Sequence, residues 1–299
     1  MNRKFGGLWP AMFTPVAPDG APAYDQIEAL ADLLVSQGMD GLYLLGSTGQ
    51  GVLFNEEQRK RVTEVVTDVV AKRVPVMVQV GSLTTAESVR LAQSAEKAGA
   101  DAISSVGPIY FSGSAQMALS HYYSIAQSTG LPFFPYQLGD KSIPGDIISF
   151  IDQLLDIPNV QGMKLTTGNL LEISLIHNHA GERLQLFSGA DELLCHASLC
   201  GTSGAIGTFY NLWGPQCKEV IERFRGGDFE KSRHFMLTFQ KVINEVLPNV
   251  WTFLRKAMML KYNIDIGQTK APLGIGQKEW TDHDVTLILN ELENASSGS

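Results

Sequence analysis

Eight times along the chain a short apolar run gives way to a loop and then to a longer amphipathic stretch. The runs are Leu8–Phe13, Gly41–Leu45, Val76–Val80, Ala102–Val106, Pro132–Tyr136, Val160–Leu165, Leu184–Phe187 and Gly204–Gly207. Between and after them stand helix-like segments at Tyr24–Gln37, Glu56–Ala71, Ala86–Ala98, Ala115–Ser128, Gly145–Leu155, Leu170–His179, Glu192–Cys200 and Leu212–Phe224. Such alternation predicts a parallel sheet with its helices outside. Strands covered on both faces read as near-continuous apolar runs, as these do. Eight units over roughly 225 residues is the size of a (β/α)8 TIM barrel. A doubly wound open sheet is the competing arrangement, but no Gly-x-Gly-x-x-Gly follows the first run.

Local signals agree with this division. Asn55-Glu-Glu-Gln58 supplies an N-cap followed by acidic first-turn residues, and Gly38 and Gly99 stand where helices should end. After the barrel, Asp228 to Glu293 reads as about three additional helices packed on its outside, with the boundary at the Gly227-Asp228 turn. The expected layout is a barrel over 1–227, a helical extension over 228–294 that is not an independent domain, and a disordered tail over 295–299.

A chain of 299 residues with 44% hydrophobic content can bury most of its apolar surface without covalent staples. Its three cysteines, Cys195, Cys200 and Cys217, are odd in number and form no Cys-x-x-Cys pair, which suits a reducing compartment. A formal charge of −8 argues against a broad nucleic-acid footprint. The basic start Met1-Asn-Arg-Lys lacks an apolar signal core, and no apolar run reaches the roughly 18 residues that span a membrane. The expectation is a soluble cytoplasmic protein acting on a small molecule, with no nucleic-acid or membrane partner.

In such barrels chemistry gathers where strands end and loops begin. Lys164 ends the run Val160-Gln-Gly-Met-Lys164. A lysine in a low-dielectric pocket loses its proton more easily and can attack a ketone to form a Schiff base. The plainer alternative is a stem packed on the barrel with its ammonium in solvent. Tyr136 ends the preceding run, so neighbouring strands would set a phenol beside the amine, a plausible acid–base pair. Gly46-Ser-Thr-Gly-Gln-Gly51 can aim backbone N–H groups at an anion; with no lysine after its glycines it suits a carboxylate better than a triphosphate. A tight turn that merely needs glycine remains the competing reading. In Ser188-Gly-Ala-Asp-Glu192 the paired carboxylates could accept from a polyhydroxyl substrate, or Asp191 could simply cap the next helix. His177 and His179 face different ways on one helix, and Cys195, His196 and Cys200 resemble a metal cluster in composition only, so no metal is assigned.

Taken together, these residues resemble the N-acetylneuraminate lyase and dihydrodipicolinate synthase family of class I aldolases. The resemblance runs from Leu8 to about Trp213. Its carriers are Gly46-Ser-Thr-Gly49, Gln79-Val-Gly81 with Thr85-Ala-Glu87, Pro108-Ile-Tyr110, Tyr136, Gly162-Met-Lys164 with Thr167-Gly-Asn169, and Gly204-Ala-Ile-Gly-Thr-Phe-Tyr-Asn211. The resemblance implies a (β/α)8 barrel, usually tetrameric, needing no metal or organic cofactor. Lys164 matches the lysine that forms a Schiff base with pyruvate or another 2-oxo acid. Tyr136 matches the proton-relaying tyrosine, assisted by Ser47 or Thr48, and Tyr110 matches a second tyrosine that completes the relay across a subunit interface. The backbone of the Ser47-Thr48 loop would hold the keto-acid carboxylate. Thr167, Gly189, Asp191, Glu192, Gly207 and Thr208 fall where the lyases hold the sugar's hydroxyl tail.

The Ser47-Thr48 form of the loop and the Gly-Ala-Ile-Gly-Thr-Phe-Tyr-Asn run resemble the lyase branch, which implies cleavage of N-acetylneuraminate to pyruvate and N-acetylmannosamine. Three departures keep other readings open. Gln137-Leu-Gly139 replaces the family's usual Asn-Ile-Pro, Gln50 replaces a glutamate, and Lys141 stands where the synthase branch carries a carboxylate-binding arginine. Lysine brings charge there without the bidentate fork. The alternatives are a different 2-keto-3-deoxy sugar acid aldolase or dehydratase, dihydrodipicolinate synthase, and, from another class, a barrel that binds pyruvate or a sugar acid without turning it over.

Overall fold

The computed structural model describes residues 5–111, 114–138 and 146–297. Eight parallel strands alternate with eight helices. The strands are β1 (Gly7–Pro10), β2 (Leu42–Leu44), β3 (Val76–Gln79), β4 (Ala102–Val106), β5 (Phe133–Leu138), β6 (Gly162–Thr166), β7 (Gln185–Ser188) and β8 (Gly204–Gly207). The helices are α1 (Tyr24–Ser36), α2 (Glu56–Val70), α3 (Thr85–Lys97), α4 (Ala115–Ala126), α5 (Ile147–Leu155), α6 (Leu170–Ala180), α7 (Leu194–Leu199) and α8 (Tyr210–Arg225). Hydrogen bonding runs β1-β8-β7-β6-β5-β4-β3-β2. A parallel bridge between Ala11 and Tyr43, with the Met12 N–H donating to the Tyr43 carbonyl at 2.9 Å, joins the two ends of that order and closes the barrel.

Two cores result. Alternate strand residues point inward, where Trp9, Tyr43, Met77, Phe134, Phe187 and Ile206 fill the barrel with Phe5 beneath them. Trp9 and Phe134 both meet Phe187 edge to face at 5.7 and 5.9 Å between ring centroids. Gly162 has to lack a side chain because its Cβ would collide with the Phe134 ring. The other strand residues, such as Leu8, Val78, Ile103, Met163 and Leu186, pack outward beneath the helices.

The local signals act as expected. Asn55 accepts from the Gln58 N–H while the Gln58 side chain returns to the Asn55 N–H, a complete capping box. Gly38 and Gly99 follow their helices at φ +75° and +85°, a region that favours glycine. Other boundaries differ. The Glu192–Cys200 segment is split into a 3-10 turn at Asp191–Leu193 and the short α7. Helix α8 starts at Tyr210, two residues before the expected Leu212, and kinks at Trp213. Pro215 follows that kink and opens the straight part of the helix, where its missing N–H is tolerated.

Three further helices, α9 (Phe229–Val246), α10 (Val250–Tyr262) and α11 (Asp282–Ser297), cover one side of the barrel. They share its outer core: Phe239 packs on Phe209 and Trp213, each at 6.1 Å, and Phe253 lies 6.1 Å from Trp213. The tail expected over 295–299 is corrected through Ser297, since α11 continues to that residue. Ala295 and Ser296 are buried, and Arg223 donates to the Ser296 carbonyl at 2.7 Å, which anchors the helix end. Among the described residues no helix is long and apolar enough to cross a membrane.

Candidate active site

Parallel pairing of β5 with β6 sets Tyr136 directly opposite Lys164. Both point into the mouth of the barrel and both are buried, at 3% and 5% exposure. The Lys164 ammonium stands 4.2 Å from the centre of the Tyr136 ring and 4.5 Å from that of Tyr43. Two aromatic faces thus hold the amine within the barrel's interior, which settles the choice between a pocketed amine and one in solvent. Tyr43, inward-facing on β2, was not singled out from the sequence. It is a third member of this cluster, and the alternation of its strand was the available signal. Burial, and secondarily the neighbouring Tyr136, push its phenol far above the ordinary range, so Tyr43 stays protonated and donates to Ser104 at 3.1 Å.

The Tyr136 hydroxyl pairs with Thr166 Oγ1 at 3.2 Å. Thr166, rather than the expected Thr167, makes this contact; the Thr167 hydroxyl accepts from the Asn169 N–H at 3.0 Å in a tight turn. The reason is register. Position 166 still belongs to β6 and lies on the same face as Lys164, whereas Thr167 has left the strand. Gly189, just past β7, fits because it has no side chain: a Cβ there would collide with Thr166 Oγ1 and come 3.0 Å from Lys164 Cε. This glycine leaves the space in which the lysine and threonine meet.

Asp191 does not cap α7. Its carboxylate turns toward β8 and accepts from the Phe209 N–H at 2.7 Å, close against Gly207, where any Cβ would collide with it. Burial raises its carboxyl to about 7, partly offset by the Phe209 N–H, while Glu192 pushes upward and Lys164 downward. Near neutrality such a group can either donate to or accept from a hydroxyl. Glu192 is half-buried and gives its carbonyl to the Gln240 side chain of α9 at 2.9 Å. Across the mouth, Thr48 and Thr208 join hydroxyl to hydroxyl at 2.6 Å and tie the loop after β2 to the end of β8.

The loop itself is held by Gln50 N–H to Ser47 carbonyl (3.1 Å) and Gly51 N–H to Gly46 carbonyl (3.2 Å). Among the described residues the N–H groups of Ser47 and Thr48 meet no acceptor, which leaves them available to an anion. Ser47 is exposed, and the Tyr136 hydroxyl is partnered by Thr166 rather than by it. Tyr110 lies outside this pocket: it is 80% exposed beyond β4, with its ring edge to face with Phe111 at 5.0 Å. Gln137 donates to the Tyr122 hydroxyl at 3.1 Å and so braces β5 against α4, while Gly139 and Lys141 lie outside the described residues. Among the described residues no group of three or more His, Cys, Asp or Glu gathers as a metal site.

The model of the dihydrodipicolinate synthetase family matches residues 4–290. The N-acetylneuraminate lyase of Citrobacter koseri is 31% identical over 245 residues, covering 82% of each chain. Among solved structures, the N-acetylneuraminate lyase of Mycoplasma synoviae superposes at a TM-score of 0.86 with 26% identity, covering 99% of both chains. The sialic acid aldolase of Ruminococcus gnavus gives a TM-score of 0.91 at 23% identity and 99% coverage of both, which bears on the fold alone.

Proposed function

We propose, from the premise that the chain belongs to the dihydrodipicolinate synthetase family, that it is a Schiff-base aldolase cleaving N-acetylneuraminate to pyruvate and N-acetylmannosamine. The observation that carries this reading is the buried Lys164 amine held against Tyr136 by strand register. The C2 carbonyl of a 2-oxo acid is attacked by Lys164 Nζ and loses water to give an imine. The substrate carboxylate sits on the Ser47 and Thr48 N–H groups. Once protonated, the imine draws electrons from the C3–C4 bond while Tyr136 takes the C4 hydroxyl proton. That bond breaks, the aldehyde leaves, and an enamine of pyruvate remains on the lysine. Protonation at C3 and hydrolysis return the free amine. The imine is itself the electron sink, so the chemistry calls for no metal or organic cofactor.

The hydroxyl tail of the sugar would run toward Asp191, Glu192, Thr208 and Gly189, with Thr166 and Thr167 beside it. The curated relatives named as N-acetylneuraminate lyases support that substrate over other 2-oxo acids. Tyr110, exposed beyond β4, would serve a neighbouring copy in a homotetramer, a role its exposure supports. Three free thiols suit the cytoplasm.

Borohydride trapping followed by peptide mapping tests the reading, with N-acetylneuraminate in one arm and pyruvate in the other. A pyruvyl-sized adduct on Lys164 from N-acetylneuraminate is the expected result. An adduct from pyruvate alone would keep the mechanism and pass the substrate to another sugar acid or to the synthase reaction. No adduct in either arm would leave a barrel that binds without turnover.

A further inference from the structure

The loop that offers its N–H groups to the substrate carboxylate is bracketed by two non-glycine residues in the left-handed region, Leu45 at φ +58° and Gln50 at φ +54°. Such residues hold that conformation only when their surroundings over-determine it. Two side-chain amides supply the constraint. From inside the barrel, Gln79 donates to the Leu45 carbonyl at 3.4 Å. From outside, the Gln50 side chain, 5% exposed, accepts from the Lys270 N–H at 2.7 Å across 220 residues of sequence.

Lys270 belongs to the segment between α10 and α11, which packs against α1 and the loops after β1 and β2. The Val16 N–H donates to the Ile266 carbonyl at 3.1 Å, and the Asp265 N–H donates to Gln26 at 3.0 Å. Gly267, at φ +71°, lets the backbone pass so close to the Val16 carbonyl that a side chain would collide with it. The Lys270 ammonium donates to the Gly20 carbonyl at 2.6 Å and lies 4.9 Å from the centre of the Phe54 ring. The strap is therefore fixed first to the loop after β1 and then, through one amide, to the loop after β2.

We infer that Gln50 is a positioning residue for substrate binding: clasped by the Lys270 N–H, it holds the Ser47-Thr48 turn in the shape that receives the carboxylate. The C-terminal extension thus contributes to the site without touching the substrate. This rests on the aldolase reading for the identity of the ligand, but the clasp has a consequence that does not. Gln50→Ala should raise amide exchange over residues 46–51 while leaving α2 unchanged.

In pyruvate trapping with borohydride, the same variant should need about tenfold more pyruvate for half-saturation, the effect of one lost buried hydrogen bond. Its limiting trapping rate should stay within about twofold of the parent. Gln50→Glu keeps an acceptor and should restore both the exchange pattern and the saturation. If Gln50→Ala fails to fold, Gln50→Met preserves the buried volume without the acceptor and takes its place. Unchanged exchange and unchanged saturation would overturn the inference, as would a fall in limiting rate with no change in saturation. If the parent protein traps nothing, the aldolase reading fails and the exchange comparison alone decides the clasp.

Discussion

The two halves of the barrel mouth are built differently. On the β5–β8 side the candidate groups are strand-end residues or lie within a few positions of one: Tyr136, Lys164, Thr166, Gly189 and Asp191. Backbone register places the first pair, and a missing side chain at 189 leaves room for the next. On the β1–β4 side the groups sit on loops. Ser47 and Thr48 ride on a turn held by distant amides, and Tyr110 stands in the open. Register is set by a whole ladder of bonds and resists local change, whereas a loop depends on a few contacts. On the proposed reading, bond-making chemistry would lie on the rigid side, and recognition of the carboxylate and contact with other chains on the adjustable one.

Substitutions on the rigid side should act on chemistry rather than on saturation. Lys164→Ala removes the nucleophile and should lower turnover of N-acetylneuraminate by roughly a thousandfold or more. Substantial retained activity, measured by pyruvate release, would end the Schiff-base mechanism. Tyr136→Phe leaves the ring beside the ammonium and removes only the hydroxyl paired with Thr166. Turnover should fall by about 10²- to 10⁴-fold, the usual worth of a positioned acid–base group. Borohydride trapping at Lys164 should persist in this variant; its loss would show that the hydroxyl serves imine formation as well.

The same contrast explains what could be read from the chain alone. Strand and helix order was legible because apolar runs and amphipathic stretches alternate so regularly, and Lys164 and Tyr136 followed from standing late in their apolar runs, although β5 and β6 each continue two residues past them to Leu138 and Thr166. Thr166 and Thr167 show the limit. Two adjacent threonines look alike in sequence, and only the point where β6 stops decides which one faces the lysine. Asp191 shows another, since a carboxylate two residues past a glycine fits a helix cap locally, but the partner that wins is the Phe209 N–H, 18 positions away. The role of Gln50 was not visible at all, because its partner Lys270 lies beyond the barrel's own stretch of chain.

Asp191 tests whether the rigid side also carries an electrostatic cost. Its carboxyl is raised to about 7 by burial, against an ordinary 3.8 in the unfolded chain. Folding therefore takes up a proton between those values. The associated stability is complete below about pH 4 and is lost as pH rises through 7, by up to about 4 kcal/mol. Asp191→Asn stays neutral and can still accept from the Phe209 N–H. Denaturant unfolding at pH 5 and pH 8 should show the variant gaining on the parent at the higher pH. Parallel pH dependence in the two proteins would mean that Asp191 is already ionised in the fold.

The smallest effect is expected where the two sides meet. Thr48 and Thr208 are joined at 2.6 Å, a contact between a loop on one half and a strand end on the other. Thr48→Val keeps the shape and removes one hydroxyl, so stability should fall by about 1 kcal/mol. Because Thr48 is buried at 7% exposure and its N–H belongs to the turn proposed to receive the carboxylate, loosening it should weaken saturation by pyruvate severalfold with little change in limiting rate. A matching loss in Thr208→Val, with no further loss in the double variant, would show that the pair acts as one unit. Additive losses would instead mean that each hydroxyl serves its own side of the mouth, and the division between a rigid half and an adjustable half would be sharper than the hydrogen bond suggests.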